Sequence, residues 1–137
     1  MIELIRIDTD GNTHMINISD KIEKVLKKSE SSEGLVNIFV KHTTAAVAIM
    51  EDEKGVLQDF KEAFERFSPI GGKYNHNELQ DDDNASSHIR GSLLSASINI
   101  PFKNNKMLLG TWQQVFLVDF DTHKREREIV ITTIESK

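Results

Sequence analysis

The sequence predicts an α+β fold: a single domain over residues 1–137, built mostly from antiparallel sheet in the manner of a sandwich, with a few packed helices. Three observations support this prediction. Short stretches rich in β-branched and aromatic residues outnumber the helical ones, tight turns join neighbouring stretches, and a length of 137 residues is typical of one domain. The tight turns favour antiparallel pairing over a parallel, doubly wound sheet.

The first half of the chain contains four predicted strands and a short helix. Two alternating stretches, "IELIRID" and "THMINI", flank Asp10 and Gly11 and predict a β-hairpin. The segments 35–41 and 45–50 predict two more strands. Between the two strand pairs, apolar residues recur at the spacing of a helix, namely Ile22, Val25 and Leu26.

The second half is predicted to begin with a helix and to end in strands. Pro69 ends a helix whose apolar residues recur on one face, namely Leu57, Phe60, Phe64 and Phe67. Residues 68 to about 85 show no convincing element, and a loop of this length in a compact domain is often functional. Residues 86–97 predict a short helix, and a C-terminal segment of about 40 residues predicts an antiparallel meander.

Composition and charge limit the kinds of partner. The net charge is -5, so a general nucleic-acid binder is not expected. No apolar run approaches the roughly 20 residues that cross a bilayer, and the charged N-terminus is unlike a signal peptide. We therefore expect a cytoplasmic protein that does not bind membranes. The absence of cysteine excludes disulfides, thiolate metal sites and cysteine nucleophiles.

Three histidines are the first candidates for a functional site. His42 leaves the end of a predicted strand, and His76 and His88 lie on either side of the acidic stretch of the long loop. If the three converge, they supply the three protein ligands of a catalytic zinc site. Their spacing matches no dedicated zinc signature, so ordinary surface or capping histidines remain an open alternative.

Other polar residues have weaker claims to a function. The acidic run Asp81–Asp83 most often indicates a solvated loop, and it could also supply oxygen ligands to magnesium. Thr43 and Thr44 offer hydroxyl groups beside His42, although threonine is also common in strands. The only tryptophan, Trp112, suits a core or an interface. No phosphate-binding loop and no Gly-x-Ser-x-Gly elbow is present.

Several short motifs follow one another along the chain, and together they resemble a known family. They are "HTTAA" (42–46), "YNHNE" (74–78), "SHIRGSLL" (87–94), "LGTWQ" (109–113) and "VDFD" (118–121). This succession closely resembles the YjbQ-like family, small proteins linked to a secondary thiamine-phosphate synthase activity. The resemblance extends from about residue 5 to 133. It implies a homotrimer of sandwich-like chains, with a polar pocket that holds a metal or an anion.

The resemblance also implies roles for individual residues. A divalent metal ion, zinc or magnesium, would be bound by three histidines: His42, His76 and His88. The catalytic residues would be Glu78, Arg90 and Gln113. Further contacts to the bound molecule would come from threonine and tryptophan side chains: Thr43, Thr44, Thr111 and Trp112.

The implied activity joins a pyrimidine pyrophosphate to a thiazole phosphate with loss of pyrophosphate, so the expected partner is a small phosphorylated molecule. Two alternatives stay open. One is a non-catalytic homotrimer that binds a metal or an anion, and the other is a metal-dependent phosphate-ester hydrolase with Glu78 as its base. The chain departs from the family pattern at several charged or polar positions, where the matching residue is open: Glu51 or Asp52, Asp83 or Asn84, and Lys124, Arg125 or Arg127.

Overall fold

The computed structural model describes residues 1–136, in which it contains eight strands and four helices. The strands are β1 (Ile2–Thr9), β2 (His14–Asn17), β3 (Glu33–Val40), β4 (Ala45–Glu51), β5 (Ser97–Lys103), β6 (Lys106–Met107), β7 (Gln113–Asp119) and β8 (Arg125–Glu135). The helices are α1 (Ser19–Leu26), α2 (Lys54–Phe67), α3 (Asn75–Gln80) and α4 (Ala85–Leu94). The predicted strands and the helices α1, α2 and α4 are confirmed, with small differences at their ends.

The strands form two antiparallel sheets. The first has five strands in the order β1-β8-β3-β5-β6, and the second has three strands in the order β2-β7-β4. Strand β8 pairs with β1 on one side and with β3 on the other, so it joins the N-terminal strand to the middle of the chain. The predicted α+β fold with a mostly antiparallel sheet is confirmed.

The main hydrophobic core includes residues of both sheets and of helix α1. The middle of strand β7, residues 115–118, is buried on both faces, so its sequence there is continuously apolar instead of alternating. Val115 and Leu117 belong to the main core, whereas Phe116 and Val118 belong to a second cluster against which α2 packs. The predicted apolar face of α2 supplies Leu57, Phe60 and Phe64 to this second cluster. Phe67, predicted on the same face, is 65% exposed.

Strand pairing differs from the prediction at both ends of the chain. The predicted N-terminal hairpin is wrong, because β1 pairs with β8 in one sheet and β2 pairs with β7 in the other. Residues 11–13 all have positive φ, and they carry the chain between the sheets. The predicted C-terminal meander holds only for β5 and β6, since β7 lies in the second sheet. Turn residues mark where the chain bends, but burial of the apolar faces decides which strands pair.

The long segment after α2 is also more ordered than predicted. Helix α3 occupies Asn75–Gln80, and Asp81 ends it in a left-handed conformation with φ 51°. The helix has only six residues and none of them is buried, so it shows no apolar periodicity in the sequence.

Among residues 1–136, none of the helices combines the length and hydrophobicity needed to cross a bilayer.

We predict that Gly11→Ala lowers the free energy of unfolding by about 2 kcal/mol or more. Gly11 has φ +74°, and an added Cβ would lie 2.6 Å from the carbonyl oxygens of Asp121 and His123. Gly71→Ala is the matched control, because nothing lies within 4 Å of a Cβ added there. Its effect should stay within about 0.5 kcal/mol. Urea titrations measure both variants, and equal effects would contradict the prediction.

Candidate functional site

An open cleft lies between the β3–β4 connection and helix α4, with a volume of about 480 Å³. Gly91 lets the helix approach this connection, because a Cβ there would lie 3.1 Å from the carbonyl oxygen of Thr43. The cleft, called the histidine cleft below, is lined by His42, Thr43, Ala45, His88, Gly91, Ser92, Ser95 and Ala96. The structure thus brings His42, Thr43 and His88 to one place.

His42 is held by the backbone of the neighbouring strand β8. Its Nε2 atom accepts a hydrogen bond from the backbone N–H of Glu128 at 2.9 Å. Burial lowers the pKa of His42, and the nearby Arg127 guanidinium lowers it further. Both effects favour a neutral imidazole at the edge of the cleft.

His76 and His88 lie against each other. Their ring centroids are 4.6 Å apart and the rings meet edge to face at 61°. Burial lowers the pKa of His88, and the neighbouring His76 lowers it further. His76 is held from the other side, since its Nε2 lies 3.1 Å from Oδ1 of Asn84. His76 and His88 are therefore direct neighbours in the fold.

A buried ion pair lies next to the histidine cleft and joins the two sheets. Arg127 of β8 donates from Nε to Oδ2 of Asp119 in β7 at 2.6 Å, and from Nη2 to Oδ1 at 2.8 Å. The two side chains are 4% and 0% exposed. Thr9 of β1 also donates its hydroxyl hydrogen to Asp119. Arg127 Nη2 donates further to Oγ1 of Thr44 at 2.7 Å.

Asp121 connects this ion pair to the histidines. Its Oδ2 accepts from Oγ1 of Thr44 at 3.0 Å and from Nε of Arg125 at 3.0 Å. Its Oδ1 accepts from Nδ2 of Asn84 at 3.4 Å. Burial alone would raise the pKa of Asp121, but hydrogen bonds from the Thr122 backbone, Arg125 and Thr44 outweigh burial and hold the pKa below its ordinary value. The hydroxyl of Thr44, a predicted ligand contact, therefore already accepts from Arg127 and donates to Asp121 within the protein.

Arg90, a predicted catalytic residue, is buried among three other parts of the chain. Its guanidinium donates to the backbone oxygen of Ser68 at 2.7 and 3.0 Å, to Glu65 at 2.7 Å and to Thr13 at 3.2 Å. Arg90 is only 2% exposed. In this chain Arg90 links α4 to the end of α2 and to residues 11–13, which carry the chain between the sheets. It is not a lining residue of the histidine cleft.

The acidic loop is held by a side-chain hydrogen bond at Asp83, and Asp82 lies near His76. Oδ1 of Asp83 accepts from the Thr122 hydroxyl at 2.7 Å, and a carboxylate oxygen of Asp82 lies 3.9 Å from Nε2 of His76. Asp81 is the left-handed residue that ends α3. Glu78, predicted as a catalytic residue, lies exposed on α3.

Two other predicted residues, Thr111 and Trp112, line a different cleft, and Gln113 follows them in the chain. Thr111 and Trp112 line a cleft of about 450 Å³ together with Glu51 and Asp52. Trp112 is 71% exposed. Gln113 is engaged locally, because its Oε1 accepts from the backbone N–H of Gly110 at 2.8 Å. Within one chain, the two clefts share no lining residue.

The arrangement of the histidines bears directly on the predicted metal site. Within residues 1–136, no group of three or more histidine, aspartate or glutamate side chains is arranged to hold a metal ion. Nε2 of His42 and Nε2 of His76 are both engaged in hydrogen bonds. The donors of this single chain therefore do not fit a resident three-histidine metal centre.

Sequence reasoning assigned no role to Asp119 or Asp121, and it left Arg127 and Asn84 only as alternatives. A signal for the buried network was present in "VDFD", where two aspartates continue an apolar strand. Carboxylates in such a setting need a buried partner, because an unpaired buried charge is costly. The structure selects Arg127 as the partner of Asp119, and Arg125 as a partner of Asp121.

The chain resembles known proteins along nearly its whole length. Residues 3–136 match the family model described as "UPF0047 protein YjbQ-like". The chain belongs to the YjbQ-like family. A UPF0047 protein from Archaeoglobus fulgidus is 36% identical to this YjbQ-like chain over 92% of it and 96% of the relative. Another, from Methanothermobacter thermautotrophicus, is 35% identical over 87% and 82%.

Two solved structures share the fold over nearly the whole chain. A hypothetical protein from Aeropyrum pernix has a TM-score of 0.91 at 29% identity, covering 99% of both chains. A protein from Sulfolobus solfataricus, described as YbjQ-like and of unknown function, has a TM-score of 0.89 at 30% identity, also covering 99% of both chains. The two-sheet architecture is thus shared with these relatives.

We predict that Asp119→Asn lowers the free energy of unfolding by about 3 kcal/mol or more, because it removes the nearest counter-charge of the buried Arg127 and leaves only Asp121, 3.6 Å away. The control is Lys28→Gln, which removes an exposed pair in which Nζ lies 2.7 Å from Glu3. That surface pair should contribute less than about 1 kcal/mol. Denaturant titrations at pH 7 compare the two, and a similar loss in both would count against a dominant buried pair.

The lowered pKa values of His42 and His88 predict that the free energy of unfolding decreases as the pH is lowered. Below about pH 6.5 the unfolded chain takes up protons that the folded chain resists, so the free energy of unfolding decreases until the pH passes the folded pKa values. Denaturation at pH 7.5, 6.5 and 5.5 measures this decrease. His88→Gln should make it smaller, because it removes one of the two histidines whose pKa the fold lowers. A flat profile in the unsubstituted protein would sink the prediction.

Proposed function

We propose that this YjbQ-like protein binds a small phosphorylated molecule in the histidine cleft and uses it in a condensation of the thiamine-phosphate synthase kind. The supporting observation is the chemistry of the cleft lining. It presents two imidazoles and the hydroxyl of Thr43, and within the described part of the chain no carboxylate is among the lining residues. The hydroxyls of Ser92 and Ser95, which also line the cleft, already donate to backbone oxygens. Such a surface offers hydrogen-bond donors to phosphate oxygens without repelling their negative charge.

The reaction itself is taken from the family's link to a secondary thiamine-phosphate synthase activity. The thiazole nitrogen attacks the methylene carbon of the pyrimidine pyrophosphate. A carbon–nitrogen bond forms while the carbon–oxygen bond breaks, and pyrophosphate leaves with the electron pair of the broken bond. Donors aimed at the leaving oxygens stabilise this developing charge. In the proposal, His42 and His88 bind these oxygens, and His76 supports His88.

A divalent cation, magnesium or zinc, enters this proposal only as a companion of the substrate's phosphates. Magnesium is typically bound through one or two carboxylates together with substrate phosphates, so it does not require a dedicated protein cage. The exposed carboxylate beside the histidines is Asp82, 3.9 Å from Nε2 of His76. Glu78, Arg90 and Gln113 have no assigned step, because one chain does not place them at the histidine cleft.

A homotrimer is also part of the proposal, and exposed apolar side chains support it. On the five-stranded sheet, Ile2, Leu35 and Ile134 are 75%, 45% and 60% exposed. Apolar surface of this kind is typical of contacts between chains. In an assembly, Thr111 and Trp112 of one copy would complete the histidine cleft of another. Such an arrangement would unite the two groups of predicted residues that one chain keeps apart.

The proposal predicts that His88→Ala lowers kcat/KM for condensation about tenfold or more, since it removes a donor to a charged oxygen. The untagged protein is assayed with pyrimidine pyrophosphate, thiazole phosphate and added magnesium, and formation of thiamine phosphate is measured. His123→Ala is the control, because His123 is exposed and lies outside the histidine cleft. It should keep the activity of the unsubstituted protein.

Two outcomes would redirect the proposal. Absence of condensation with every divalent cation tested, while inorganic pyrophosphate still binds in calorimetry, would support a non-catalytic binding protein. Release of phosphate from esters without condensation would support the hydrolase alternative. Full activity of His88→Ala would show that the histidine cleft is not the site of the reaction.

A further inference from the structure

His42 has one ring nitrogen whose state is decided by the backbone. The backbone N–H of Glu128 points at its Nε2 atom at 2.9 Å. An amide N–H can only donate, so Nε2 must be unprotonated and accept the hydrogen bond with its lone pair. A neutral imidazole has one N–H group, and in His42 this group must therefore be on Nδ1.

The Glu128 contact is part of a local clamp. The backbone oxygen of Glu128 accepts from the N–H of Lys41 at 3.3 Å, and its carboxylate binds Nζ of Lys41 at 2.7 Å. Residues 41 and 42 are thus held against one residue of β8 by three separate contacts. Burial and the charge of Arg127, which lower the pKa of His42, keep the ring in this neutral form.

The protonated nitrogen of His42 reaches solvent. Within residues 1–136, no buried side-chain nitrogen or oxygen lacks a hydrogen-bond partner. The described residues provide a partner for Nε2 of His42 and none for Nδ1, so Nδ1 is accessible. His42 lines the histidine cleft, so a hydrogen-bond donor accessible to solvent belongs to the lining of this cleft.

His76 is fixed in the opposite sense. Asn84 donates from Nδ2 to the carboxylate of Asp121, which can only accept when it is ionised. This orients the amide so that Oδ1 faces Nε2 of His76 at 3.1 Å, and Oδ1 must accept from Nε2–H. The Nε2 atoms of the two histidines therefore have opposite roles, an acceptor in His42 and a donor in His76.

We infer that His42 binds a phosphate oxygen of the ligand through Nδ1–H, as a donor of fixed tautomer, and that it is not a metal ligand. Metal binding through Nδ1 would move the ring proton to Nε2, where it would face the N–H of Glu128. Two donors would then oppose each other, and the clamp on residues 41 and 42 would be disrupted. The inference rests on the proposed function for its choice of a phosphate ligand, but the tautomer can be tested without it.

Two substitutions separate the two nitrogens of His42. The side-chain amide of asparagine can place a donor near the position of Nδ1, whereas glutamine can place an acceptor near Nε2. With inorganic pyrophosphate as the probe, His42→Asn should bind within about threefold of the unsubstituted protein. His42→Gln should bind about tenfold or more weakly, because the donor to the charged oxygen is lost. Circular dichroism and thermal melts check that both variants fold.

Long-range proton–nitrogen NMR of the unsubstituted protein reads the tautomer of His42 directly at pH 7.5. The inference expects Nδ1–H both before and after addition of pyrophosphate. An Nε2–H pattern, equal loss of binding in both variants, or zinc titration that shifts Nδ1 of His42 would overturn the inference alone. Failure of the unsubstituted protein to bind pyrophosphate would overturn the proposed function as well, even with the Nδ1–H tautomer observed.

Discussion

The buried ion pair between Asp119 and Arg127 is the contact on which the rest of the structure depends. Asp119 ends a strand of the three-stranded sheet and Arg127 belongs to the five-stranded sheet, so the pair links the two layers. A charge buried this deeply is tolerated only when its partner and its hydrogen bonds are complete. Here Thr9 and Thr44 complete them, and no buried side-chain polar atom of residues 1–136 is left without a partner.

The candidate site is an extension of this pair. The Thr44 hydroxyl accepts from Arg127 and donates to Asp121. Asp121 also accepts from the Asn84 amide, which in turn orients His76. Three segments distant in the sequence, around residues 44, 84 and 121, are thereby held together. The histidine cleft opens beside them, so the core that joins the sheets also positions the polar groups of the cleft.

The histidines beside this network differ in their hydrogen-bond partners. Such partners decide which nitrogen of an imidazole carries a proton, so identical side chains can act differently. Glu128 donates to Nε2 of His42, whereas Nε2 of His76 donates to Asn84. The motifs "HTTAA" and "YNHNE" each contain a histidine, but the partners that distinguish them lie elsewhere in the chain.

Local periodicity was enough to locate most strands and three of the four helices. Apolar residues at period two or at helical spacing can be recognised within one short segment, without knowledge of the tertiary contacts. The order of motifs was likewise enough to indicate the family. The folded chain decided the pairing of β1 and β2 with different sheets, the burial of Arg90, and the separation of Trp112 from His42. It also decided that Nε2 accepts a hydrogen bond in His42 and donates one in His76. Each of these depends on contacts between residues far apart in sequence, and periodicity carries no information about such contacts.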